Sequence, residues 1–487
     1  MPGQKPWQFF VAFFVLLAYN NSEMGESLVD KNITVKEILN VTKGTLVYGN
    51  EEEICESFIK DTKVVNAWDV FVGFKGDTRD GGIFYKQALE LGAKGCIINK
   101  TANEEIEEIE GKFLVTVEDT VEAIQNIAKL KRSKYDIPVV AITGSVGKTS
   151  TKDIVSGVVG EGFDVLKTQG NMNNHIGLPM TILGLRDHTA MVVEMGMNHL
   201  GEISVLTNIA KPTIAVITNV GTAHIGNLGS RENILKAKLE ILEGLREDGK
   251  LVINNDNDML HNWYEEQESN NNIITYGIHN NSDIMAKNIE YKESSSSYIL
   301  EQNAEQTSIK VPVGGEAFVY NSLAAISVGK ILGIDIEKIK LGIQKFELTQ
   351  MRLDVQKSKN GYTIINDCYN ANYDSMKAAI EYLKSTSGAR KIAVLGDMLE
   401  LGEFSKKLHE DVGREVVNNK IDVLIVVGEE AKNIAKIAEE NGIETYEFME
   451  NFEAIEKIKN IIKEDDVILV KASNSMNFKV IVNGLLN

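Results

Sequence analysis

The chain has 487 residues, 43% hydrophobic and 25% charged, with a formal net charge of −19. One hydrophobic core does not grow to that size, so about three domains are expected in an otherwise ordinary globular composition. The acidic balance excludes general nucleic-acid binding, which rests on clustered Lys and Arg, so any bound phosphate must be held by local cations, amides and metal.

The N-terminal run Trp7–Tyr19 is nearly all apolar and is preceded by Lys5. It is short of the ~20 residues that cross a bilayer, and no small-residue cleavage pattern follows it. Residues 1–32 therefore read as an extension, with membrane contact expected only through 7–19. The three cysteines, Cys55, Cys96 and Cys368, are scattered with no CxxC pair. That usage fits buried thiols in a reducing compartment, and a cytoplasmic protein is expected.

Organised sequence begins near Ile33. Asp69–Phe74 and Cys96–Ile98 read as strands and Tyr85–Ala93 as a helix, giving a small mixed α/β domain over 33–135. The basic stretch Lys129–Lys134 reads as a linker out of it.

From Pro138 the pattern becomes strand–helix–strand. Val139–Thr143, Ala190–Met195, Ile214–Val220 and Lys250–Asn254 are near-continuous apolar runs, as in a buried parallel sheet. The first run leads into Gly144-Ser-Val-Gly147-Lys-Thr-Ser150 and a helical pattern. Backbone N–H groups in such a turn, with a helix N-terminus behind them, form an anion site. Lys148 can reach terminal phosphates, and Thr149 can offer its hydroxyl to Mg²⁺. The common phosphate loop has a glycine at position 142, where Ile142 stands, so this is a shortened variant. Around Ser294–Ser297 the alternating segments Tyr298–Leu300 and Ser308–Val313 suggest a small antiparallel addition. The central ATP-binding domain is placed at 136–348.

Ligands of parallel sheets collect beyond the carboxyl ends of the strands. Glu194, His224 and the polar loop Asn171–Pro179 fall there. The segment Ser230–Leu245 reads as a helix capped by Ser230. Ile234, Lys238, Ile241 and Leu245 share its apolar stripe, while Lys236 and Glu243 lie off it. A lysine on that stripe must snorkel, find a partner or change its charge state.

The last unit, 349–487, has apolar runs at Tyr362–Ile365, Lys391–Leu395, Val423–Val427 and Val467–Val470, with helical patterns such as Ala431–Glu440 between them. This predicts a Rossmann-like, doubly wound domain. The expected fold is thus α/β in three domains.

Several motifs occur in fixed order: Thr143-Gly-Ser-Val-Gly-Lys-Thr-Ser, Gly170-Asn-Met-Asn-Asn-His-Ile-Gly-Leu-Pro, Glu194-Met-Gly, Thr218-Asn-Val-Gly-Thr-Ala-His and Ala237-Lys-Leu-Glu-Ile. With them, the chain from about Ile33 onward resembles the Mur ligases, ATP-dependent amide ligases of peptidoglycan precursor synthesis. Asp367-Cys-Tyr-Asn-Ala-Asn and Leu395-Gly-Asp-Met-Leu-Glu-Leu-Gly, with His409, resemble the branch that adds D-alanyl-D-alanine to a UDP-muramyl-tripeptide.

The resemblance implies roles. Gly144, Ser145, Val146, Gly147, Lys148, Thr149 and Ser150 would surround the ATP phosphates, with Asn321 at the adenine and Arg352 and Asp367 reaching the nucleotide from the last domain. Thr149 would serve a first Mg²⁺, His224 a second, and Glu194 the metals together. Lys238 aligns with a lysine carbamylated by CO₂ in the family, which would make it an anionic metal partner. Thr62, Lys63, Asn173, Asn174, Tyr369, Asn370 and Asn372 would meet the substrates, with the UDP end on the first domain. The substrate carboxylate would attack ATP to give an acyl phosphate, which the dipeptide amine then opens. Domain closure would exclude water, and a monomer is expected.

Some positions depart from the family pattern. Lys63 stands for an Arg, Gly82 for a His, Ala317-Phe318 for His-Asn, Tyr373 for a Pro and Asn474 for an Arg. Two alternatives therefore stay open: a paralogous ligase with another amine, and a catalytically weak muramyl-nucleotide-binding protein.

Overall fold

The computed structural model describes residues 31–486 apart from 103–105, 268–270, 293, 303–304, 348 and 350. The apolar run 7–19 lies outside the described residues. The chain divides into two compact units, one formed by residues up to 137 with 179–187 and 330–335, the other by 138–178, 188–329 and 336–487.

The first unit is built on a five-stranded sheet in the order Thr45–Tyr48, Phe113–Val117, Gly95–Asn99, Asp69–Gly73, Ser57–Ile59. The first of these pairs antiparallel and the rest are parallel. The three middle strands are buried on both faces, so they read as unbroken apolar runs. The expected linker at Lys129–Lys134 is instead the end of a helix, Thr120–Ser133, capped by Asp119. Ile124, Ile127, Ala128 and Lys131 follow one another on its inner face, and Lys131 and Arg132 are buried. Lys131 donates to the Lys31 carbonyl at 2.9 Å and Arg132 to the Tyr135 carbonyl at 2.5 Å. The charges continue the helical period, each satisfied by a backbone oxygen.

The second unit holds two sheets. One has nine strands, in the order Glu305–Val311, Ser295–Gln302, Ile284–Lys292, Ile273–Gly277, Lys250–Asn254, Ile214–Ile217, Val139–Thr143, Ala190–Glu194, Val165–Lys167. The last seven run parallel, and the first two form the antiparallel addition. Val139–Thr143 lies between Ala190–Glu194 and Ile214–Ile217, with Glu194 opposite Ile142 and Ile217 opposite Thr143. The three strand ends therefore open at one level, and the loops that leave them are neighbours.

The other sheet has six strands, in the order Asp354–Lys357, Thr363–Asn366, Val467–Lys471, Lys391–Gly396, Val423–Val427, Glu444–Phe448. Only the first is antiparallel. Ile364, Val394, Ile425 and Val470 pack with Phe478 and Ile481 in its core. All three cysteines are buried and unpaired. Among the described residues no helix is long and apolar enough to cross a membrane.

Candidate active site

The strand Val139–Thr143 ends at Gly144, where an added Cβ would run into Thr218 Oγ1. Gly147, at φ +81°, then caps the helix Lys148–Gly160, a left-handed position that glycine takes without strain. Asn219 shapes the turn from the neighbouring strand end. Its Oδ1 accepts the N–H of Ser145 at 3.1 Å and of Val146 at 2.9 Å, and its Nδ2 donates to the Val146 carbonyl at 3.0 Å. Thr218 Oγ1 donates to the same carbonyl at 2.7 Å. The Ser145 and Val146 amides are thus already engaged. The donors for an anion shift to Gly147 and the first helical turn, whose N–H groups have no acceptor within the helix.

Lys148 Nζ donates to the Gly144 carbonyl at 2.7 Å. Burial holds its ammonium below the usual lysine range; Arg352 pushes the same way and Glu194 opposes. Glu194 is buried at the end of its strand. Its Oε2 accepts the Thr149 hydroxyl at 2.8 Å and its Oε1 accepts Asn173 Nδ2 at 2.7 Å. This group of one carboxylate and neutral oxygens suits a hard cation. No group of three or more His, Cys, Asp or Glu that could hold a metal occurs among the described residues. Mg²⁺ shared with substrate phosphates needs no more than one or two protein carboxylates, so the donor set fits it.

The helix after Ser230 forms as expected at its start, with Ser230 Oγ accepting the Asn233 N–H at 3.2 Å. It is α-helical to Leu239 and continues as one 3₁₀ turn, Glu240–Glu243, sooner than the pattern predicts. Ile234, Lys238 and Ile241 face inward, while Lys236 and Glu243 are exposed. Lys238 is 1% exposed. Burial, and then the like charge of Lys148, push its amine well below the usual range.

Residues from the last segment stand beside this group within the same unit. The Arg352 guanidinium lies over the Tyr369 ring, 4.2 Å from its centre, and Arg352 Nε is buried without a partner. Its neighbours Met351 and Leu353 both have positive φ, +62° and +49°. Asp367 Oδ1 accepts the Leu353 N–H at 3.1 Å, and Oδ2 accepts Lys471 Nζ at 2.6 Å. Asp374 Oδ2 accepts the Thr222 N–H at 2.7 Å and its hydroxyl at 2.9 Å. His224 Nδ1 lies 2.6 Å from Glu400 Oε2.

The remaining expected residues are placed as follows. Asn321 Oδ1 accepts the Thr151 hydroxyl at 3.0 Å, tying it to the phosphate-loop helix. Asn174 Oδ1 accepts the Gly177 N–H at 2.8 Å, Asn370 Oδ1 the Ala371 N–H at 2.9 Å and Asn372 Oδ1 the Ser375 N–H at 2.9 Å. These three carboxamides hold local backbone. In the first unit Thr62 lines a cavity of about 290 Å³ with Lys60, Asp61, Phe71 and Phe84. Lys63 is exposed beside it. At Gly82 an added Cβ would lie 2.5 Å from Ala102 Cβ, so no histidine fits there.

Lys148, Thr149, Glu194, Asn173 and Arg352 are therefore gathered, with Lys238 close enough to feel Lys148. Asn219, Lys471, Asp374 and Glu400 were not singled out from the sequence. Asn219 sits in the same motif as His224 and carries no charge or metal-ligand signal of its own. The other three act on partners more than 100 positions away.

The Mur ligase middle domain model matches residues 142–329, and the Mur ligase, glutamate ligase domain model matches 351–474. A Bacillus subtilis protein named UDP-N-acetylmuramoyl-tripeptide–D-alanyl-D-alanine ligase is 36% identical over 93% of this chain and 98% of its own length. Its namesake from Escherichia coli is 30% identical over 93% and 98%. The solved structure of MurF from Acinetobacter baumannii superposes with a TM-score of 0.83 at 28% identity, covering 93% of this chain and 99% of its own. MurF ligase from Thermotoga maritima, solved in complex with ADP, gives 0.76 at 29% identity over 88% and 97%.

Proposed function

The chain belongs to the Mur ligase family of ATP-dependent ligases, and we propose that it joins D-alanyl-D-alanine to the terminal carboxylate of a UDP-N-acetylmuramoyl-tripeptide, releasing ADP and phosphate. The observation that carries this reading is the single hydrogen-bonded group formed by Thr149, Glu194 and Asn173 next to Lys148 at the strand ends. Near-full-length likeness to relatives bearing that enzyme's name supports the choice of substrates.

The substrate carboxylate attacks the γ-phosphate, and both are anionic. Two like unit charges ~4 Å apart repel by about 4 kcal/mol at an effective dielectric of ~20. Lys148, Arg352 and the first-turn amides oppose that repulsion. Thr149 and Glu194 would hold one Mg²⁺, and His224 with the Lys238 carbamate a second. When bound, the metal screens the phosphate oxygens and aligns them for attack. The amine of the dipeptide then adds to the acyl phosphate, and the tetrahedral intermediate expels phosphate.

The state of Lys238 supports its carbamylation. A buried amine with a depressed pKa carries a lone pair, which adds to the carbon of CO₂ as one proton leaves. The neutral amine beside the Lys148 cation becomes an anion, which that cation attracts. The cavity beside Thr62 would take the UDP end, with 33–135 as its domain, 136–348 carrying ATP and 349–487 the amine.

A second reading, the same ATP chemistry with another amine, is favoured by one local feature. Asn474, where the family pattern has an Arg, donates through Nδ2 to the Tyr369 carbonyl at 3.0 Å. It cannot grip a carboxylate as an Arg fork does. A phosphate-release assay across UDP-muramyl peptides and amines separates the two. Turnover only with the tripeptide and D-alanyl-D-alanine together is expected. Equal turnover without any amine would overturn the ligase reading. Lys148→Ala should abolish turnover while the circular dichroism spectrum stays native.

A further inference from the structure

His224 follows the strand Ile214–Ile217 and takes φ +63°, a left-handed conformation rare for a non-glycine residue. Its partner Glu400 also has φ +63°. Two such positions facing each other persist only where the surroundings fix them. Glu400 is fixed in several ways. The Met398 N–H donates to His409 Nε2 at 3.0 Å, and the Leu399 N–H donates to Ser473 Oγ at 2.9 Å. The Glu400 carbonyl accepts the Gly226 N–H at 3.1 Å. An added Cβ on Gly226 would lie 2.6 Å from that carbonyl oxygen, so the two turns touch through a glycine. His409 is fully buried, and its Nδ1 lies 2.8 Å from the Ser405 carbonyl. Both ring nitrogens of His409 are engaged, which makes it a brace for this turn.

The Glu400 side chain itself is half exposed. An ion pair of that exposure contributes little to stability, so the elaborate support of its backbone needs another explanation. We infer that Glu400 is the positioning residue for His224: its carboxylate accepts the Nδ1–H, fixes the ring, and leaves Nε2 as the lone-pair nitrogen available to a cation. A carboxylate can only accept, so at 2.6 Å the proton belongs to Nδ1. The inference rests on the reading of His224 as a metal group. It adds that the six-stranded sheet supplies the residue that completes a ligand carried by the nine-stranded one.

The experiment uses the full-length protein labelled with ¹⁵N-histidine. The chain has seven histidines, and His224→Gln identifies the signal. Without metal, the His224 signal should be that of a ring protonated at Nδ1. Glu400→Ala should erase this preference, and Glu400→Gln, whose amide oxygen still accepts, should keep part of it. In the same variants the Mg²⁺ concentration for half-maximal activity should rise, about ten- to a hundredfold in Glu400→Ala and less in Glu400→Gln. KM for ATP at saturating Mg²⁺ should change little, because the phosphates are held by the loop around Lys148.

Asp374→Ala is the comparison, since it weakens the neighbouring Thr222 contact between the same two segments without touching the imidazole. A Mg²⁺ requirement raised equally by Asp374→Ala, with an unchanged ring signal in Glu400→Ala, would make Glu400 a docking contact only and overturn the inference. If Glu400→Ala unfolds, Glu400→Gln decides on the same two readouts. If His224→Gln itself leaves the Mg²⁺ requirement unchanged, the metal reading of His224 fails. If His224→Gln raises it and the Glu400 variants do not, the positioning role alone fails.

Discussion

Asn219 and Val146 exchange two hydrogen bonds, Val146 N–H to Oδ1 at 2.9 Å and Nδ2–H to the Val146 carbonyl at 3.0 Å. A side-chain amide thus braces the shortened phosphate loop as a neighbouring strand would. Asn219→Ala would leave the Val146 amide without an acceptor, at about 1–3 kcal/mol for the unpaired group, while the Ser145 N–H keeps the Asn219 backbone carbonyl at 3.1 Å. The loop would relax, and affinity for ADP should fall about tenfold or more with the global fold intact. Titration calorimetry with ADP reads this directly. Unchanged affinity would show that the loop holds its shape unaided.

Lys471 and Asp367 form a buried ion pair at 2.6 Å, with side chains 3% and 14% exposed. Lys471 also donates to the Asn370 carbonyl at 2.9 Å, so one ammonium anchors the loop that carries Tyr369. Removing one partner of such a pair strands the other charge, a loss of about 3–5 kcal/mol. Lys471→Met should lower the denaturation midpoint strongly and weaken nucleotide binding through the displaced Arg352–Tyr369 stack. Adding Asp367→Asn should recover part of the stability. Strictly additive losses in the double variant would deny the coupling.

The readable parts of this chain were those where one local pattern decides the outcome. Strands such as Val139–Thr143 and Val423–Val427 are buried on both faces and appear as apolar runs. Glu444–Phe448 is an edge strand that carries exposed Glu444 and Glu447, and its other, half-buried side chains give no such run. Lys129–Lys134 misled because a run of charges resembles a break, although its helical period continues. In the site, Lys148 and Thr149 follow a glycine turn and Lys238 falls on an apolar stripe, so each was legible locally. Asn219, Asp374, Glu400 and Lys471 meet partners 73, 152, 176 and 104 positions away. Only tertiary structure brings those pairs together.

His409 gives the fold an acid-sensitive point. Burial lowers its pKa from the usual 6.5, against the upward pull of the Ser405 carbonyl and of Asp397. The unfolded chain therefore takes up a proton near pH 6.5 that the native imidazole resists. By linkage, stability is full above pH 6.5, falls as pH drops below it, and stops falling on this account below the lower native value. His409→Gln should be less stable at pH 8, having lost one of the two bonds. It should also show a shallower decline in unfolding free energy between pH 6.5 and 5. Parallel declines in the two proteins would place the acid sensitivity elsewhere.

Lys238 sets the sharpest test of the chemistry. Its amine is buried, and the neighbouring charge of Lys148 adds to the burial in pushing its pKa far down. Such an amine gives up its proton more readily than a free lysine and, once deprotonated, can add to CO₂; the carbamate would be an anion facing the Lys148 cation. Protein exposed to ¹³C-bicarbonate should show one carbamate carbon signal that disappears in Lys238→Ala. The same variant should lose most activity while retaining affinity for ADP, because the loop around Lys148 is untouched. Acetate supplied in solution could occupy the anionic position and restore part of the rate. Lys238→Arg should stay inactive, since a guanidinium keeps its charge and forms no carbamate. An active Lys238→Arg enzyme, with no carbamate signal in the wild type, would leave the buried lysine as packing alone.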